Sequence, residues 1–127
     1  MKFLDNYQEH SYALLRIVSG FLFIWHGTQK YFNFPAEFPW GLNPMTSAAG
    51  VIEIVGGTLI LIGLFTRPAA FVCSGTMAVA YWLAHGSKAF FPIANGGELA
   101  VLFCFVFLLI ATKGAGMWSV DKNILKK

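Results

Sequence analysis

Charged residues are scarce in this chain of 127 residues, where they make up 12% of the sequence. Soluble domains contain about 25% charged residues, which cover the outside of the fold. Here 57% of the residues are hydrophobic, and the segment from residue 99 to residue 111 carries no charge at all. Because such a segment has nothing to present to water, the composition excludes an ordinary soluble domain and predicts an integral membrane protein embedded in a lipid bilayer.

Clustered basic residues and paired cysteines are also missing. The net charge is +3, but the basic residues form no patch with interleaved aromatics, so no nucleic-acid partner is predicted. Cys73 and Cys104 lack the CxxC spacing of a redox pair or a zinc site. Their predicted depths differ by roughly 9 Å at 1.5 Å per helical residue. We therefore expect two free thiols and no metal centre.

Four apolar segments fill most of the chain. A membrane-spanning helix needs about 20 residues to cross roughly 30 Å of hydrocarbon. Residues 12–32, 46–65, 68–85 and 96–112 approach this length, the last two near its lower limit. The sequence therefore predicts one all-α domain, residues 1–127, that folds as an integral membrane four-helix bundle.

The distribution of lysine and arginine predicts how this bundle is oriented. With four spans both termini lie on the same side, and that side carries most of the basic residues: Lys2, Arg67, Lys113, Lys122, Lys126 and Lys127. The opposite side has only Lys30 and Lys88. Because basic residues accumulate on the cytoplasmic side, we expect both termini to be cytoplasmic.

Polar residues within the spans concentrate toward the outer end. A charge in hydrocarbon costs a few kcal/mol, so such residues mark either a polar pocket or a structural ion pair. His26 and Glu53 are predicted to lie roughly 10 Å below the outer surface. Closer to that surface lie Lys30, His85, Asn95 and Glu98. Glu53 requires a cationic or hydrogen-bonding partner, for which His26 and Lys30 are the candidates.

Each member of this outer group also has a structural interpretation. Asn95 fits the N-cap of the fourth helix, and Glu98 is favoured by the dipole at the helix start. A bridge from His26 or Lys30 to Glu53 would hold the bundle together without any ligand. The sequence leaves this static bridge and a ligand pocket open as alternatives.

Two arginines and two aromatic residues form a secondary set of candidates. Arg16 either reaches the inner headgroups with its long side chain or pairs in the interior. Arg67 is expected to fix the topology at the short inner turn Thr66-Arg67-Pro68. Tyr81 and Trp82 would border the outer pocket together with further aromatic side chains, namely Trp25, Phe90 and Phe91. Aromatic walls with few polar groups suit a flat, partly apolar ligand.

Three stretches carry the most distinctive residues: LLRIVSGFLFIWHGTQKYF, GVIEIVGGTLILIGLFTRPAA and HGSKAFFPIANGGELAVLF. In these stretches the chain resembles the DoxX family of small bacterial membrane proteins. The resemblance rests on three groups of residues: Arg16, Gly20, His26, Gly27 and Lys30; Glu53 with Gly56 and Gly57; and Asn95 with Gly96, Gly97 and Glu98. It implies a multi-pass bundle in the bacterial inner membrane. Family members are associated with a thiosulfate:quinone oxidoreductase, with oxidative-stress complexes and with resistance to quinones or catechols.

The leading hypothesis is therefore a membrane component of an oxidoreductase or oxidative-stress system that binds a small redox-active ligand such as a quinone. His26 and Lys30 would bond the ligand oxygens, and Glu53 would tune or relay a proton. The alternative is a non-catalytic scaffold or transport-related bundle that binds a partner oxidoreductase subunit or a second copy of itself. Haem between His26 and His85 is disfavoured because their depths differ. The chain lacks the extra soluble domain and the redox cysteine pair of the best-defined family subunits, which argues against catalysis by this chain alone.

Overall fold

The computed structural model describes residues 2–38, 41–86 and 88–126, and all regular structure in this part of the chain is helical. The elements in chain order are α1 (Lys2–Asp5), α2 (Gln8–Phe32), α3 (Pro44–Ile62), α4 (Thr66–Ala80), a π-helical turn (Tyr81–His85), α5 (Pro92–Asn95), α6 (Glu98–Lys113) and α7 (Val120–Asn123). The four predicted segments therefore coincide with α2, α3, α4 with its π turn, and α6. Lys127, counted above among the inner basic residues, lies outside the described residues.

One helix of the described chain, α3, is long and apolar enough by itself to cross a membrane. The helix α2 has 25 residues but includes Glu9, Arg16 and Lys30. The helices α4 and α6 have 15 and 16 residues. The other three predicted spans therefore remain predictions.

Glycines bring α2 and α3 into direct backbone contact. A Cβ atom added at Gly20 would lie 2.7 Å from the carbonyl oxygen of Gly57, and one added at Gly27 would lie 2.7 Å from that of Gly50. The glycines of each helix are seven residues apart, so they lie on one face. Small residues at a helix contact let two backbones approach closely, as is common between membrane helices.

Large aromatic residues fill the space between α2 and α6. Phe23 and Phe107 are fully buried, and their ring centroids lie 4.7 Å apart. Phe103 stacks on Phe107 at 5.4 Å and contacts Phe23 at 5.3 Å. The two helices are thus joined through side chains, whereas α2 and α3 meet through their backbones.

The inner turn between α3 and α4 lies slightly earlier than predicted. The helix α3 ends at Gly63 in the left-handed conformation, and Phe65 precedes α4 with a φ of 47°. Thr66, Arg67 and Pro68 form the first turn of α4 instead of the predicted loop. Proline is tolerated there because the N–H groups of the first turn have no helical partner.

The two cysteines lie closer in depth than predicted. The hydroxyl of Ser74, the residue after Cys73, donates to the carbonyl oxygen of Cys104 at 2.7 Å and lies 3.6 Å from its sulfur. Ser74 and Cys104 therefore lie at a similar level of the bundle, which the predicted offset of about 9 Å did not anticipate. Both thiols are free.

Candidate functional site

A buried ion pair joins the outer halves of α2 and α3. The Lys30 ammonium lies 2.8 Å from Glu53 Oε1 and 3.1 Å from Oε2. Their side chains are 14% and 3% exposed. Lys30, and not His26, is therefore the partner that Glu53 requires. The ammonium therefore lies against both carboxylate oxygens, with Oε1 the nearer.

The loop after α2 folds back over this ion pair. The Thr28 hydroxyl donates to the Phe34 carbonyl at 2.8 Å, and the Gln29 amide donates to the Glu37 carbonyl at 3.0 Å. The Lys30 ammonium lies 5.3 Å from the centre of the Phe38 ring. The loop thereby shields the pair, which strengthens its attraction. Pro39 and Trp40, which the sequence also places in this loop, lie outside the described residues.

A small cleft opens between α2 and the returning loop. Its volume is about 130 Å³, and its lining residues are Trp25, His26, Gln29, Pro35 and Ala36. The His26 ring packs edge-on against Phe103 with centroids 5.7 Å apart. No described residue hydrogen-bonds to the His26 ring nitrogens, so the imidazole retains its full capacity for a ligand or water.

A second polar cluster ties the other outer loop to the π turn. Asn95 is 4% exposed, and its amide nitrogen donates to the Tyr81 hydroxyl at 2.9 Å and to the Ala89 carbonyl at 3.1 Å. The backbone carbonyl oxygen of Asn95 lies 3.1 Å from His85 Nδ1. The described contacts join no member of this cluster to Lys30 or Glu53. The outer candidates therefore form separate groups and not one shared constellation.

The predicted capping role of Asn95 is wrong. The helix α6 begins at Glu98 after the N-cap Gly97, without a side-chain cap. Asn95 Oδ1 instead accepts from the Gly97 N–H at 2.8 Å, because two intervening glycines let the chain turn before the helix starts. Glu98 lies in the first turn, where the helix dipole favours a carboxylate.

The side chains of Glu98 and Trp82 make no hydrogen bond to either polar cluster among the described residues. Glu98 borders an open groove of about 520 Å³ along α6, with Pro92, Leu99, Val101, Leu102 and Phe105. Trp82 is 71% exposed and packs against the Tyr81 ring at 5.3 Å. Exposed tryptophans of this kind suit a membrane–water interface.

Arg16 closes the opposite, inner end of the helices. It is fully buried and therefore does not reach the headgroups, the first of its two predicted roles. Its guanidinium donates to four carbonyl oxygens, those of Ile60 at 3.0 Å, Ala115 at 2.5 Å, Met117 at 3.0 Å and Trp118 at 2.7 Å. Arg16 is therefore paired in the interior, and its partners are backbone carbonyl groups in α3 and in the segment after α6.

Arg67 also has a structural partner. It is exposed, and it donates to the carbonyls of Thr112 at 2.9 Å and Lys113 at 3.4 Å. A cation near the last carbonyls of a helix is stabilising because of the helix dipole. Arg67 therefore links the start of α4 to the end of α6.

Sequence reasoning missed two residues that complete this inner end. The Tyr12 hydroxyl donates to the Gly114 carbonyl at 2.5 Å. The Asp121 carboxylate accepts from the backbone N–H groups of Phe65 at 2.9 Å and Thr66 at 3.0 Å, which caps α4 from a distant part of the chain. Asp121 is the only acidic residue after Glu98, and that isolation was the one available signal.

The helices, their buried charges and the similarity to known sequences define a small helical membrane protein. The profile of the DoxX family matches residues 11–86, and the chain belongs to this family. The matched region contains Arg16, the His26 cleft and the Lys30–Glu53 pair, together with Tyr81 and His85.

Two relatives match across most of the chain. An uncharacterized protein of Haemophilus influenzae is 46% identical over an alignment of 134 positions that covers 100% of both chains. An uncharacterized membrane protein of Mycobacterium tuberculosis is 32% identical over 137 positions, which cover 92% of this chain and 83% of the relative. No solved structure matches the chain.

Proposed function

We propose that the chain is a multi-pass component of the bacterial inner membrane, with α2, α3, α4 plus its π turn, and α6 as four spans. The neutralisation of Glu53 by Lys30 and the carbonyl partners of Arg16 support this arrangement, because intramembrane charges require such partners. The excess of lysine and arginine at one end supports cytoplasmic termini.

Within this arrangement, the cleft between α2 and the returning loop binds the ring of a small redox-active molecule such as a quinone. The observation that carries this proposal is His26, a residue of the cleft lining whose ring nitrogens make no hydrogen bond to the described residues. A cavity of about 150 Å³ admits benzene, so the cleft of about 130 Å³ with its open mouth suits a single six-membered ring. Trp25 supplies an aromatic wall.

The surrounding residues would assist such a ligand in distinct ways. His26 would hydrogen-bond a ring oxygen and exchange a proton with it, as a histidine positioned for acid–base chemistry can. Lys30 would stabilise negative charge that develops on the ring, and the Glu53 carboxylate would tune or relay a proton. A partner oxidoreductase would exchange the electrons, so the chain acts as a component of a larger system.

The test measures the binding of a short-chain benzoquinone to the protein in lipid nanodiscs. Binding is detected as quenching of tryptophan fluorescence. The wild-type protein should show saturable quenching. His26→Phe, which fills the cleft, should weaken binding at least about tenfold, or about 1.4 kcal/mol. His10→Phe, the same change at the inner end of α2, is the matched control and should bind normally. Binding that is unaffected by His26→Phe would contradict the proposal.

The second candidate function is a non-catalytic scaffold. The observation in its favour is the Lys30–Glu53 pair itself, which is complete without a ligand and joins two helices. In this case the quinone would not bind, and a partner protein would co-purify in mild detergent. The partner protein should still co-purify with the Glu53→Gln variant if the Lys30–Glu53 pair has only a structural role.

A further inference from the structure

We propose that the Tyr81–His85–Asn95 cluster is a second, separate ligand site, which recognises the hydroxyl group of a phenol at the outer surface. The proposal goes beyond the quinone cleft because it concerns other residues on another loop. It follows from the direction of each hydrogen bond in the cluster, which leaves one donor and one acceptor unused.

The first step is the orientation of the Asn95 amide. Its Oδ1 faces the backbone N–H of Gly97, which can only donate, and its Nδ2 faces the carbonyl of Ala89, which can only accept. These two neighbours fix which atom is nitrogen and which is oxygen. Nδ2 must therefore donate its other hydrogen to the Tyr81 hydroxyl oxygen.

The second step concerns the Tyr81 proton. Because the Tyr81 oxygen already accepts from Asn95, its own O–H is available to donate elsewhere. Among the residues that the structure describes, no acceptor is in contact with it. The ring is held in place between Trp82 and Gly97, where an added Cβ would lie 2.6 Å from the Tyr81 ring.

The third step concerns the tautomer of His85. Its Nδ1 lies 3.1 Å from the Asn95 carbonyl oxygen, which can only accept, so Nδ1 carries the hydrogen. In the neutral imidazole Nε2 is then an acceptor. A backbone carbonyl that fixes one ring nitrogen in this way commonly orients the other nitrogen toward a ligand.

These steps leave an unused donor on Tyr81 and an unused acceptor on His85, two residues of the same π turn. The Tyr81 and His85 rings are neighbours on the π turn, with centroids 6.4 Å apart, and π-helical turns occur frequently at functional sites. A hydroxyl group complements the pair, because its oxygen accepts from Tyr81 while its hydrogen is donated to His85 Nε2. Phe90 and Phe91, which are 86% and 63% exposed, favour an aromatic carrier of that hydroxyl.

The test uses the full-length protein in nanodiscs with ¹⁵N-labelled histidine, and two redox-inert probes, 4-methylphenol and its methyl ether. The His85 signal is assigned by its loss in His85→Asn. We expect a protonated Nδ1 and an unprotonated Nε2. The Nε2 signal should shift saturably with the phenol and not with the ether, and the phenol should bind about tenfold more tightly, as expected for two hydrogen bonds.

Two variants separate recognition from architecture. In His85→Asn the new side chain can still donate to the backbone carbonyl of Asn95 but has no acceptor at the position of Nε2. Phenol binding, measured by tryptophan fluorescence, should therefore be lost. The melting temperature should stay unchanged. His26→Phe should leave phenol binding intact, which distinguishes this site from the quinone cleft. The proposal is overturned by a protonated Nε2, by equal responses to phenol and ether, or by normal phenol binding in His85→Asn.

Discussion

The guanidinium of Arg16 binds the carbonyl oxygen of Ala115 at 2.5 Å, across 99 positions of the chain. This bond and those to Met117 and Trp118 fasten the segment after α6 to α2, and a fourth bond, to Ile60, reaches α3. A buried arginine with backbone partners is costly to alter, because the carbonyls of the buried residues Ile60 and Ala115 would lose their donor.

Arg16→Lys should therefore lower the free energy of unfolding by about 2–4 kcal/mol. Lysine keeps the charge, but its single ammonium cannot reach four carbonyls in the planar geometry of a guanidinium. The measurement is reversible unfolding in detergent. Arg67→Lys is the matched control, and its loss should stay below about 1 kcal/mol because that side chain is exposed. Equal losses at the two positions would contradict the assigned role of Arg16.

The Lys30–Glu53 pair should show strong energetic coupling. Lys30→Met leaves a buried carboxylate without its cation and should cost about 3–5 kcal/mol. The double variant Lys30→Met/Glu53→Gln should be more stable than the sum of the single losses predicts, since it leaves no unpaired charge. A double-mutant cycle from unfolding free energies measures this coupling. Additive losses would mean that the two groups do not interact.

Alanine substitution should have different effects on stability at Gly20, which lies at the contact between α2 and α3, and at Gly75, which lies in α4. In Gly20→Ala the new methyl group would meet the backbone of Gly57 and Leu61 at 2.7 Å, which should destabilise the protein by about 1–3 kcal/mol. At Gly75 an added Cβ meets nothing within 4 Å. Gly75→Ala should therefore be neutral or stabilise by up to about 1 kcal/mol, because alanine favours helix. Thermal melting of both variants checks the pair.

The proposed topology predicts which side of the membrane each loop faces. The variant Ala36→Cys, made in a chain that also carries Cys73→Ala and Cys104→Ala, should react with a membrane-impermeant maleimide in intact spheroplasts. A cysteine at Lys122 should react only after the membrane is permeabilised, because the basic end is cytoplasmic. The reverse pattern would overturn the orientation, and reaction of both in intact spheroplasts would overturn the four-span arrangement.

The long helices were predictable because apolar runs and turn residues fix their approximate ends. Pro44 and Gly63 bound α3 within a few residues of the prediction. The requirement of Glu53 for a cation was also predictable from the cost of a buried charge. The helical spacing of His26 and Lys30 left these two residues as the candidate partners.

The contacts made by the loops were not predictable, because they depend on the direction of individual hydrogen bonds. Asn95 in an Asn-Gly-Gly-Glu sequence reads as a helix cap, yet its side chain bonds Tyr81, 14 residues earlier. Arg16 likewise bonds carbonyl groups, and since every residue has a carbonyl, no side-chain pattern could indicate which ones.

The dependence of Arg16 on Ala115, Met117 and Trp118 also orders events during synthesis of the chain. If the chain inserts into the membrane as it is made, the first long helix would leave the ribosome before Ala115, Met117 and Trp118 are translated, so Arg16 would lack three of its four carbonyl partners. Until residues 115–118 are translated, the arginine would need water or other hydrogen-bond partners. Completion of the Arg16 site would thus be a late event, with the segment after α6 as its closing step.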